Sequence, residues 1–305
     1  MNEKTIAAIA LSNRDYPSFE AKLQEAAQWV ELAAAQGADL AVLPETLNLY
    51  QGDGGAYVSL DDVALDDWQG STQILLETAV RCRIAMTVPV LVRDKGRLAN
   101  RFYLFSKQGE VLGHYQKRNP APGEREASME AGREPLIQWE GLNVGGAICF
   151  DIYYQSVFQQ QAQAGADLFL IPSLTPAGDV LNYYALLYGK PMVLAYPAWS
   201  RIIDRDGKEL AAGGQRWETL RFGFGSPVVT AIVNFDAVTL YADANQEKIV
   251  DVQRHYGKRV RVRFDQPNCL FYLESRSADL SIGQIMQQFG LVSRQDYFAR
   301  CAPEI

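Results

Sequence analysis

Apolar and polar positions along the first part of the chain predict strand and helix in turn. Thr5 to Leu11 is a continuous, β-prone apolar run, which is typical of a short buried strand. Ser18 to Gln36 repeats its apolar residues at helical spacing and is followed by Gly37, a residue that favours the C-terminal end of a helix. Asp39 to Leu43 predicts a second buried strand. This order of elements indicates an α/β fold.

The same periodicities predict further elements as far as residue 235. The predicted helices are Ser71 to Arg83, Gln155 to Ala164 and Val180 to Tyr188. The predicted strands are Ile84 to Val92, Leu98 to Ser106, Val111 to Lys117, Leu136 to Trp139, Val144 to Phe150, Leu168 to Pro172, Val193 to Ala198 and Pro227 to Phe235. Tight turns at Asp94-Lys-Gly96 and Lys107-Gln-Gly109 imply antiparallel neighbours, so we expect mixed sheets. Arg118 to Glu134, which is rich in Pro and Glu, is expected to be an irregular loop.

The domain organisation follows from the lack of any linker rich in Ser, Gly or Pro. We expect one α/β domain over residues 1–256, with two sheets between outer helices in a four-layer α-β-β-α sandwich. Residues 257–305 are expected to form a C-terminal extension. Arg259, Arg261 and Arg263 alternate there with apolar residues, which predicts a strand with a basic face. The extension carries many further apolar residues, so we expect it to pack at a subunit interface or over its own domain.

Composition and charge narrow the range of partners. The 305 residues carry 29 Lys and Arg against 36 Asp and Glu, a net charge of −7, which argues against nucleic acid or an anionic membrane as a partner. Four Cys without a CxxC motif and only two His argue against a disulfide scaffold and a metal site. No apolar run approaches the length of a membrane span, and the short N-terminal one is not expected to be a signal peptide. We therefore expect a cytoplasmic protein.

Cys149 is the most informative single residue. It lies in Val144-Gly-Gly-Ala-Ile-Cys149-Phe-Asp-Ile, where a buried strand ends and a helix is about to begin. A nucleophile elbow has this placement, because it presents the side chain at a strand end beside backbone N–H groups that can bind an oxyanion. A lone cysteine on an apolar strand is more commonly a structural residue. The local pattern alone leaves both interpretations open.

A nucleophilic thiol needs a neighbouring base or cation, since a free thiol is mostly protonated at neutral pH. His114 and Lys117, at the end of one predicted strand, are the two candidates for that partner. Glu45 follows the apolar strand Asp39 to Leu43 and offers a carboxylate at another strand end. Open α/β sheets place their active sites at the carboxyl ends of strands. Glu, Lys and Cys at three strand ends together indicate a catalytic site.

The three motifs Leu-Pro-Glu45, Tyr-Gln-Lys117 and Ala-Ile-Cys149-Phe-Asp together resemble the nitrilase superfamily of carbon–nitrogen hydrolases. The resemblance extends from Lys4 to Tyr256. It implies an α-β-β-α sandwich and a homodimer or a higher homo-oligomer. It also implies that Cys149 is the nucleophile, Glu45 the general base and Lys117 the group that stabilises the tetrahedral intermediate.

The resemblance further implies a second glutamate in the loop after the lysine. Glu124 matches that position best, and Glu126 is the alternative. Many amidase-like members continue Cys-x-Asp with Arg-Phe-Pro, whereas this chain reads Ile152-Tyr-Tyr-Gln155, and it lacks the Trp-Glu that follows the cysteine in true nitrilases. The resemblance therefore favours the amidase-like branch. The residues expected to bind the oxyanion or the substrate are Phe150, Tyr153, Tyr154, Leu174 and Thr175.

The resulting hypothesis is a hydrolase that cleaves a carboxamide or N-carbamoyl C–N bond through a cysteine thioester. It implies a small-molecule amide substrate and requires neither a metal nor an organic cofactor. Nitrile hydrolysis and amide transfer on the same fold are alternatives. A redox-sensing or catalytically silent binding scaffold is the alternative from another class of protein.

Overall fold

A computed structural model describes residues 2–12, 16–50, 59–127, 129, 131–132, 135–214 and 226–301. The described chain forms two compact units, one made of residues within 5–186 and 190–231 and the other of residues within 2–4, 187–189 and 232–301. No helix in these described residues is long and apolar enough to cross a membrane.

The strands are β1 (Glu3–Ile9), β2 (Leu40–Val42), β3 (Ala85–Asp94), β4 (Arg97–Phe105), β5 (Val111–Gln116), β6 (Ile137–Trp139), β7 (Leu142–Gly146), β8 (Leu168–Pro172), β9 (Met192–Ala195), β10 (Ser200–Ile203), β11 (Glu209–Gly213), β12 (Val228–Asn234), β13 (Ala237–Tyr241), β14 (Val260–Asp265) and β15 (Leu270–Ser275). The α-helices are α1 (Phe19–Ala35), α2 (Leu60–Val63), α3 (Trp68–Ser71), α4 (Gln73–Cys82), α5 (Pro122–Glu126), α6 (Gln155–Gln163), α7 (Val180–Tyr188), α8 (Ala242–Tyr256), α9 (Ile282–Phe289) and α10 (Arg294–Cys301).

The larger unit is built on two mixed sheets, each of six strands. The first has the order β12-β1-β2-β3-β4-β5, and the second has the order β11-β10-β9-β8-β7-β6. β1, β2 and β3 are parallel, as are β7, β8 and β9, while the hairpins β3-β4-β5 and β6-β7 are antiparallel. Each parallel trio therefore delivers its following loops to one edge of its sheet.

Helices cover the outer face of each sheet. The apolar stripe of α1, which includes Leu23 and Val30, packs with α4 on the first sheet in one buried cluster. On the second sheet, Phe158 of α6 lies against Phe169 of β8, with ring centroids 5.3 Å apart. The inner faces of the sheets meet where Gly146 lies against the ring of Tyr115, so closely that an added Cβ would lie 2.5 Å from its Cγ. The predicted four-layer α-β-β-α sandwich is thereby confirmed.

The smaller unit has its own sheet and core. Its strands have the order β13-β15-β14, all antiparallel. Leu240 and Leu273 pack with Ile249 of α8 and Ile285 of α9 in a separate buried cluster. β14 corresponds to the strand predicted from the alternating arginines. The C-terminal segment of this unit begins at residue 232, whereas the predicted extension begins at 257. The position of the extension at a subunit interface stays a prediction.

Two local differences from the predicted elements bear on the site. The segment 118–134 contains the short helix α5, which begins at Pro122, a residue whose fixed φ suits the first turn of a helix. β7 ends at Gly146 rather than at Phe150. Cys149 is not part of the strand because it adopts φ +45°, a conformation that cannot continue one.

Candidate active site

Cys149 lies in a tight turn that follows β7 and opens a 3₁₀ helix, Cys149–Tyr153. Its φ of +45° is in the left-handed region, which side chains other than Gly seldom adopt. The turn is closed by two hydrogen bonds, from the Asp151 N–H to the Ile148 carbonyl at 3.0 Å and from the Ile148 N–H to the Asp151 carboxylate at 3.1 Å. A strained turn at a strand end is the geometry of a nucleophile elbow.

Asp151 joins this turn to the chain that follows β5. The side chain is fully buried and accepts hydrogen bonds from the Tyr115 hydroxyl at 3.0 Å and from the Asn119 backbone and side chain at 2.7 and 2.9 Å. The Arg118 N–H adds a longer bond of 3.3 Å. Burial raises the pKa of the Asp151 carboxyl, while these donors act in the opposite direction. The carboxylate thus fixes the elbow relative to the end of β5.

Lys117, the residue after β5, is the centre of a buried charge cluster and is only 2% exposed. Its Nζ lies 2.8 Å from Oε1 of Glu45, and it lies 2.9 and 2.8 Å from Oε1 and Oε2 of Glu124. Burial alone would lower the pKa of Lys117, but the charges of Glu45 and Glu124, together with Cys149, raise it above its ordinary value. The ammonium therefore keeps its charge across the whole neutral range.

Glu45 connects the lysine to the thiol. It follows β2, is 3% exposed, and its Oε2 accepts the backbone N–H of Leu174 at 3.0 Å. The Cys149 thiol lies beside the Glu45 carboxylate and the Leu174 N–H, and both influence its pKa. Burial and the Glu45 charge raise the pKa of the Cys149 thiol, whereas Lys117 and the Leu174 N–H lower it by less. The resting thiol is therefore protonated and in contact with a base.

The structure brings together Glu45, Lys117, Cys149 and Glu124. It does not bring Glu126 or His114 into the cluster. Glu126 is exposed at the end of α5, and the His114 ring lies 5.5 Å from that of Tyr103, which belongs to the core between the first sheet and its helices.

The predicted substrate-binding residues lie on two adjoining segments. The Phe150 ring makes edge contacts with Tyr153 and Tyr154, each with centroids 5.7 Å apart. The Tyr153 hydroxyl, on a side chain that is 59% exposed, is 3.3 Å from Oγ1 of Thr175. Leu174 reaches the cluster through its backbone N–H, as described above. These residues therefore border the elbow and the loop after β8.

Asn100 is a member of the cluster that the sequence analysis missed. It lies within β4, is fully buried, and its Nδ2 donates to Oε1 of Glu45 and to Oε1 of Glu124, both at 2.8 Å. The sequence carried little signal for it, because Asn100 lies inside a strand beside the polar Arg101 rather than at a strand end.

Tyr196 was also missed. It is the first residue after β9 and is 9% exposed, and its neighbour Ala195 accepts the Ser173 N–H from the loop after β8 at 2.9 Å. Burial and the proximity of Cys149 raise the pKa of the Tyr196 phenol. The parallel strands β7, β8 and β9 thus bring Cys149, Leu174 and Tyr196 to one edge.

The cluster has the groups that covalent catalysis requires: a thiol, a carboxylate base in contact with it, and a buried cation nearby. Among the described residues, no group of three or more His, Cys, Asp or Glu side chains could hold a metal ion. A four-layer α/β sandwich with such a cluster at its strand ends has the architecture of the nitrilase superfamily.

Residues 5–243 match the family model for carbon-nitrogen hydrolases, and the chain belongs to that family. It is an amidase-like carbon–nitrogen hydrolase, as the sequence predicted. It is 25% identical over 197 residues to 2-oxoglutaramate amidase from Bacillus subtilis, a match that covers 58% of this chain and 74% of that protein. It is 33% identical over 145 residues to the (R)-stereoselective amidase of a Pseudomonas species, covering 47% of this chain and 51% of that protein.

Solved structures support the same fold. An amidase from Nesterenkonia sp. superimposes with a TM-score of 0.63 at 20% identity, covering 83% of this chain and 96% of that one. Nit3 of Saccharomyces cerevisiae, a member of branch 10 of the nitrilase superfamily, gives a TM-score of 0.61 at 21% identity, covering 75% of this chain and 89% of that one.

Proposed function

We propose that the protein hydrolyses a carboxamide or N-carbamoyl C–N bond through a thioester on Cys149. The observation that carries the proposal is the continuous set of contacts from the Cys149 thiol through Glu45 to the buried ammonium of Lys117, at 2.8 Å from Glu45. A base in contact with a protonated thiol and a fixed cation beside it are the requirements for forming and stabilising a tetrahedral intermediate.

The first step forms the carbon–sulfur bond. Glu45 takes the thiol proton as the sulfur electron pair attacks the carbonyl carbon, and the carbonyl π electrons move to oxygen. Lys117 and the backbone N–H of Phe150 donate hydrogen bonds to the resulting oxyanion. One such donor contributes about 2.7–4 kcal/mol to the stability of the transition state in other enzymes.

The second step releases the amine, and the third releases the acid. Glu45 transfers its proton to the leaving nitrogen as the C–N bond breaks, so ammonia or an amine departs and a thioester remains. Glu45 then takes a proton from water as its oxygen attacks the thioester carbon. The C–S bond breaks, the sulfur recovers the proton from Glu45, and the carboxylic acid leaves. Glu45 and Cys149 thereby return to their starting protonation states.

In this proposal Glu124 exchanges no proton with the substrate and forms no covalent bond to it. Its two oxygens hold Lys117, and Oε2 also accepts the Ala121 N–H at 2.6 Å, so its position is fixed from two sides. We assign it to orienting Lys117 and the substrate nitrogen. Tyr153, Tyr154 and Thr175, with Leu174, are proposed to form the substrate-binding wall.

The relatives support the amide-hydrolysing form of the proposal. They include a 2-oxoglutaramate amidase and a deaminated glutathione amidase, the latter from Synechocystis. In one solved structure of the Nesterenkonia amidase, a variant of that enzyme carries the acetamide moiety of fluoroacetamide at the active-site cysteine. The action of the present protein as a homo-oligomer in the cytoplasm is part of the same proposal and rests on the sequence analysis.

The redox-sensing alternative is less well supported. Peroxide and disulfides react with the thiolate, so sensing cysteines have lowered pKa values. Burial and the Glu45 charge instead raise the pKa of Cys149. A thiol with a raised pKa needs a base to remove its proton as it attacks. In a hydrolase, Glu45 is that base.

The test begins with an ammonia-release screen over small carboxamides, N-carbamoyl compounds, ureas and nitriles. On any substrate found, Cys149→Ala should reduce turnover to background, because it removes the nucleophile. Glu45→Gln should reduce kcat by about 10²–10⁴-fold, which is the usual contribution of a general base. Cys82→Ala, which changes a partly buried cysteine on α4, is the matched control and should retain activity.

Intact-protein mass spectrometry of Glu45→Gln distinguishes the alternatives. Slow attack followed by slower deacylation should leave the acyl group on Cys149. Added oxygen in place of an acyl group would support the redox-sensing alternative. Full activity of Cys149→Ala would exclude the covalent mechanism.

A further inference from the structure

The side-chain amide of Asn100 is the only neutral donor that the described residues place between the two glutamates. It donates to Oε1 of Glu45 and to Oε1 of Glu124, both at 2.8 Å, from within β4. The backbone carbonyl of Asn100 accepts the backbone N–H of Lys117 at 2.9 Å. Asn100 therefore contacts three members of the cluster, and its side chain is fully buried.

The orientation of the amide is fixed by its partners. Both neighbours are carboxylates, which accept hydrogen bonds when ionised, so the NH₂ group must face them. The amide oxygen Oδ1 is then left without a hydrogen-bond partner among the described residues. Leaving a buried acceptor unpaired is unfavourable, and native structures rarely do so. An asparagine kept only for packing would not require this arrangement.

Two other buried asparagines show how a structural asparagine is bonded in this chain. Asn48 accepts the Leu91 N–H and donates to the Leu91 and Val63 carbonyls. Asn245 accepts the Val292 N–H and donates to two carbonyls. Each uses both ends of its amide, whereas Asn100 uses only its donors, and both of these serve carboxylates.

The charges explain why a neutral double donor suits this position. Glu45 and Glu124 share one ammonium, Lys117, so the three groups carry a net negative charge when both carboxylates are ionised. Carboxylates that share a site tend to retain a proton unless donors stabilise the ionised form. A second cation would stabilise both, but it would also hinder Glu45 from accepting a proton. An amide supplies two N–H groups without adding charge.

We propose that Asn100 is a positioning residue for the hydrolysis, which holds the Glu45 carboxylate turned toward Cys149. Asn100 and Lys117 both bond Oε1 of Glu45, while Oε2 lies on the Leu174 N–H. The carboxylate is thus held at both oxygens. This inference rests on the proposed function of Glu45 as the general base.

The charged and titratable groups that face Glu45 come from three further elements. They are Lys117 after β5, Glu124 on α5, and Cys149 in the elbow. Tyr196, after β9, faces Cys149. The pH dependence of the reaction therefore reflects this group of side chains, and a change at Asn100 alters it without removing any of them.

The test compares two substitutions that keep the branching of the asparagine side chain at Cγ. Asn100→Leu removes both N–H donors to the two carboxylates, so the acidic limb of kcat/KM should shift upward by about one pH unit. We expect kcat at neutral pH to fall about 10–100-fold, with KM changing much less. Asn100→Asp adds a carboxyl that can donate only while protonated, so its activity should be best preserved at acidic pH and should fall as the new group ionises.

Asn245→Leu is the matched control. It removes a fully buried asparagine with three hydrogen bonds, so it should lower stability but leave the pH profile unchanged. Thermal melts of all three variants separate loss of folding from loss of positioning. Wild-type pH profiles in both Asn100 variants would overturn the proposal, as would the same shift in Asn245→Leu.

A second readout does not depend on turnover. Alkylation of Cys149 by iodoacetamide, mapped by peptide mass spectrometry, measures how readily the thiol loses its proton. Asn100→Leu should shift the pH profile of alkylation as it shifts that of kcat/KM, and an unchanged profile would count against the proposal. If no amide is hydrolysed by the wild type but the shift in alkylation occurs, the positioning by Asn100 stands and the proposed function fails.

Discussion

Lys22 is a second buried lysine in the larger unit, and its environment is the opposite of that of Lys117. It lies on α1 and is 1% exposed. Its Nζ donates to the Leu49 carbonyl at 3.1 Å and lies 5.9 Å from the centre of the Tyr16 ring. Burial lowers the pKa of Lys22 from 10.5 to about 7, and the nearby charge of Glu25 offsets only part of this effect.

We predict that Lys22→Met stabilises the protein at acidic pH. The pKa falls by about 3.5 on folding, and each unit corresponds to 1.36 kcal/mol, so the charged lysine destabilises the folded state by on the order of 5 kcal/mol. Because the folded pKa is lowered, the unfolded chain binds more protons between pH 7 and 10.5. The penalty is therefore complete below pH 7 and disappears as the pH rises toward 10.5.

The variant also loses the hydrogen bond to Leu49, which contributes about 1 kcal/mol. At pH 6 we therefore expect the free energy of unfolding to rise by about 3–4 kcal/mol. Near pH 10 we expect little change or a small loss. Urea denaturation of both proteins at pH 6, 8 and 10, followed by circular dichroism, measures the difference at each pH.

Lys117→Met is the contrasting control, because its ammonium bonds two buried carboxylates. Removing one partner from a buried ion pair usually destabilises a protein by about 3–5 kcal/mol. The two lysine variants should therefore change stability in opposite directions at pH 6. A destabilised Lys22→Met at pH 6, or a difference from the wild type that stays constant from pH 6 to 10, would refute the reasoning.

Two further predictions concern the elbow. Asp151→Asn keeps the shape of the side chain but turns one accepting end into a donor that faces backbone N–H groups. We therefore expect a lower kcat in the ammonia-release assay and a lower melting temperature. Unchanged kinetics would contradict the role of Asp151 in fixing the elbow. Gly146→Ala places a Cβ 2.5 Å from a ring carbon of Tyr115 and 2.8 Å from one of Phe102, so urea denaturation should show a loss of about 1–3 kcal/mol. Gly123→Ala, whose added Cβ meets no described atom within 4 Å, should be nearly neutral, and equal losses in the two glycine variants would contradict this account.

Glu45 and Cys149 could be predicted from sequence because each follows an apolar run that predicts a buried strand. Lys117 follows the mixed strand β5, most of which is only partly buried, and it could be predicted only in combination with the other two residues. Parallel strands then bring such residues to one edge without further information. The α/β order of the elements could be predicted for the same reason, since long periodic segments carry the strongest local signal.

Asn100 and Tyr196 could not be predicted in this way, because their importance depends on contacts between distant segments. Asn100 lies in the middle of β4, and its amide meets one carboxylate 55 residues earlier and another 24 residues later in the chain. The helix α5 is only five residues long, so its periodicity is too short to detect. Its Pro122 and Glu124 are nevertheless the first-turn residues of a capped helix, a signal that the sequence contained.

The hydrogen bond between Glu45 and Leu174 has a consequence for how the activity responds to heat and pressure. Glu45 follows a strand of the first sheet and Leu174 a strand of the second, and their contact of 3.0 Å joins residues 129 positions apart. The base Glu45 and the nucleophile Cys149 therefore follow strands of different sheets, and these sheets are held together mainly by side-chain packing. A shift of one sheet relative to the other separates Glu45 from the Cys149 thiol before either sheet loses its backbone hydrogen bonds. Under heat or pressure, the rate of turnover should therefore fall before the spectroscopic signals of secondary structure change.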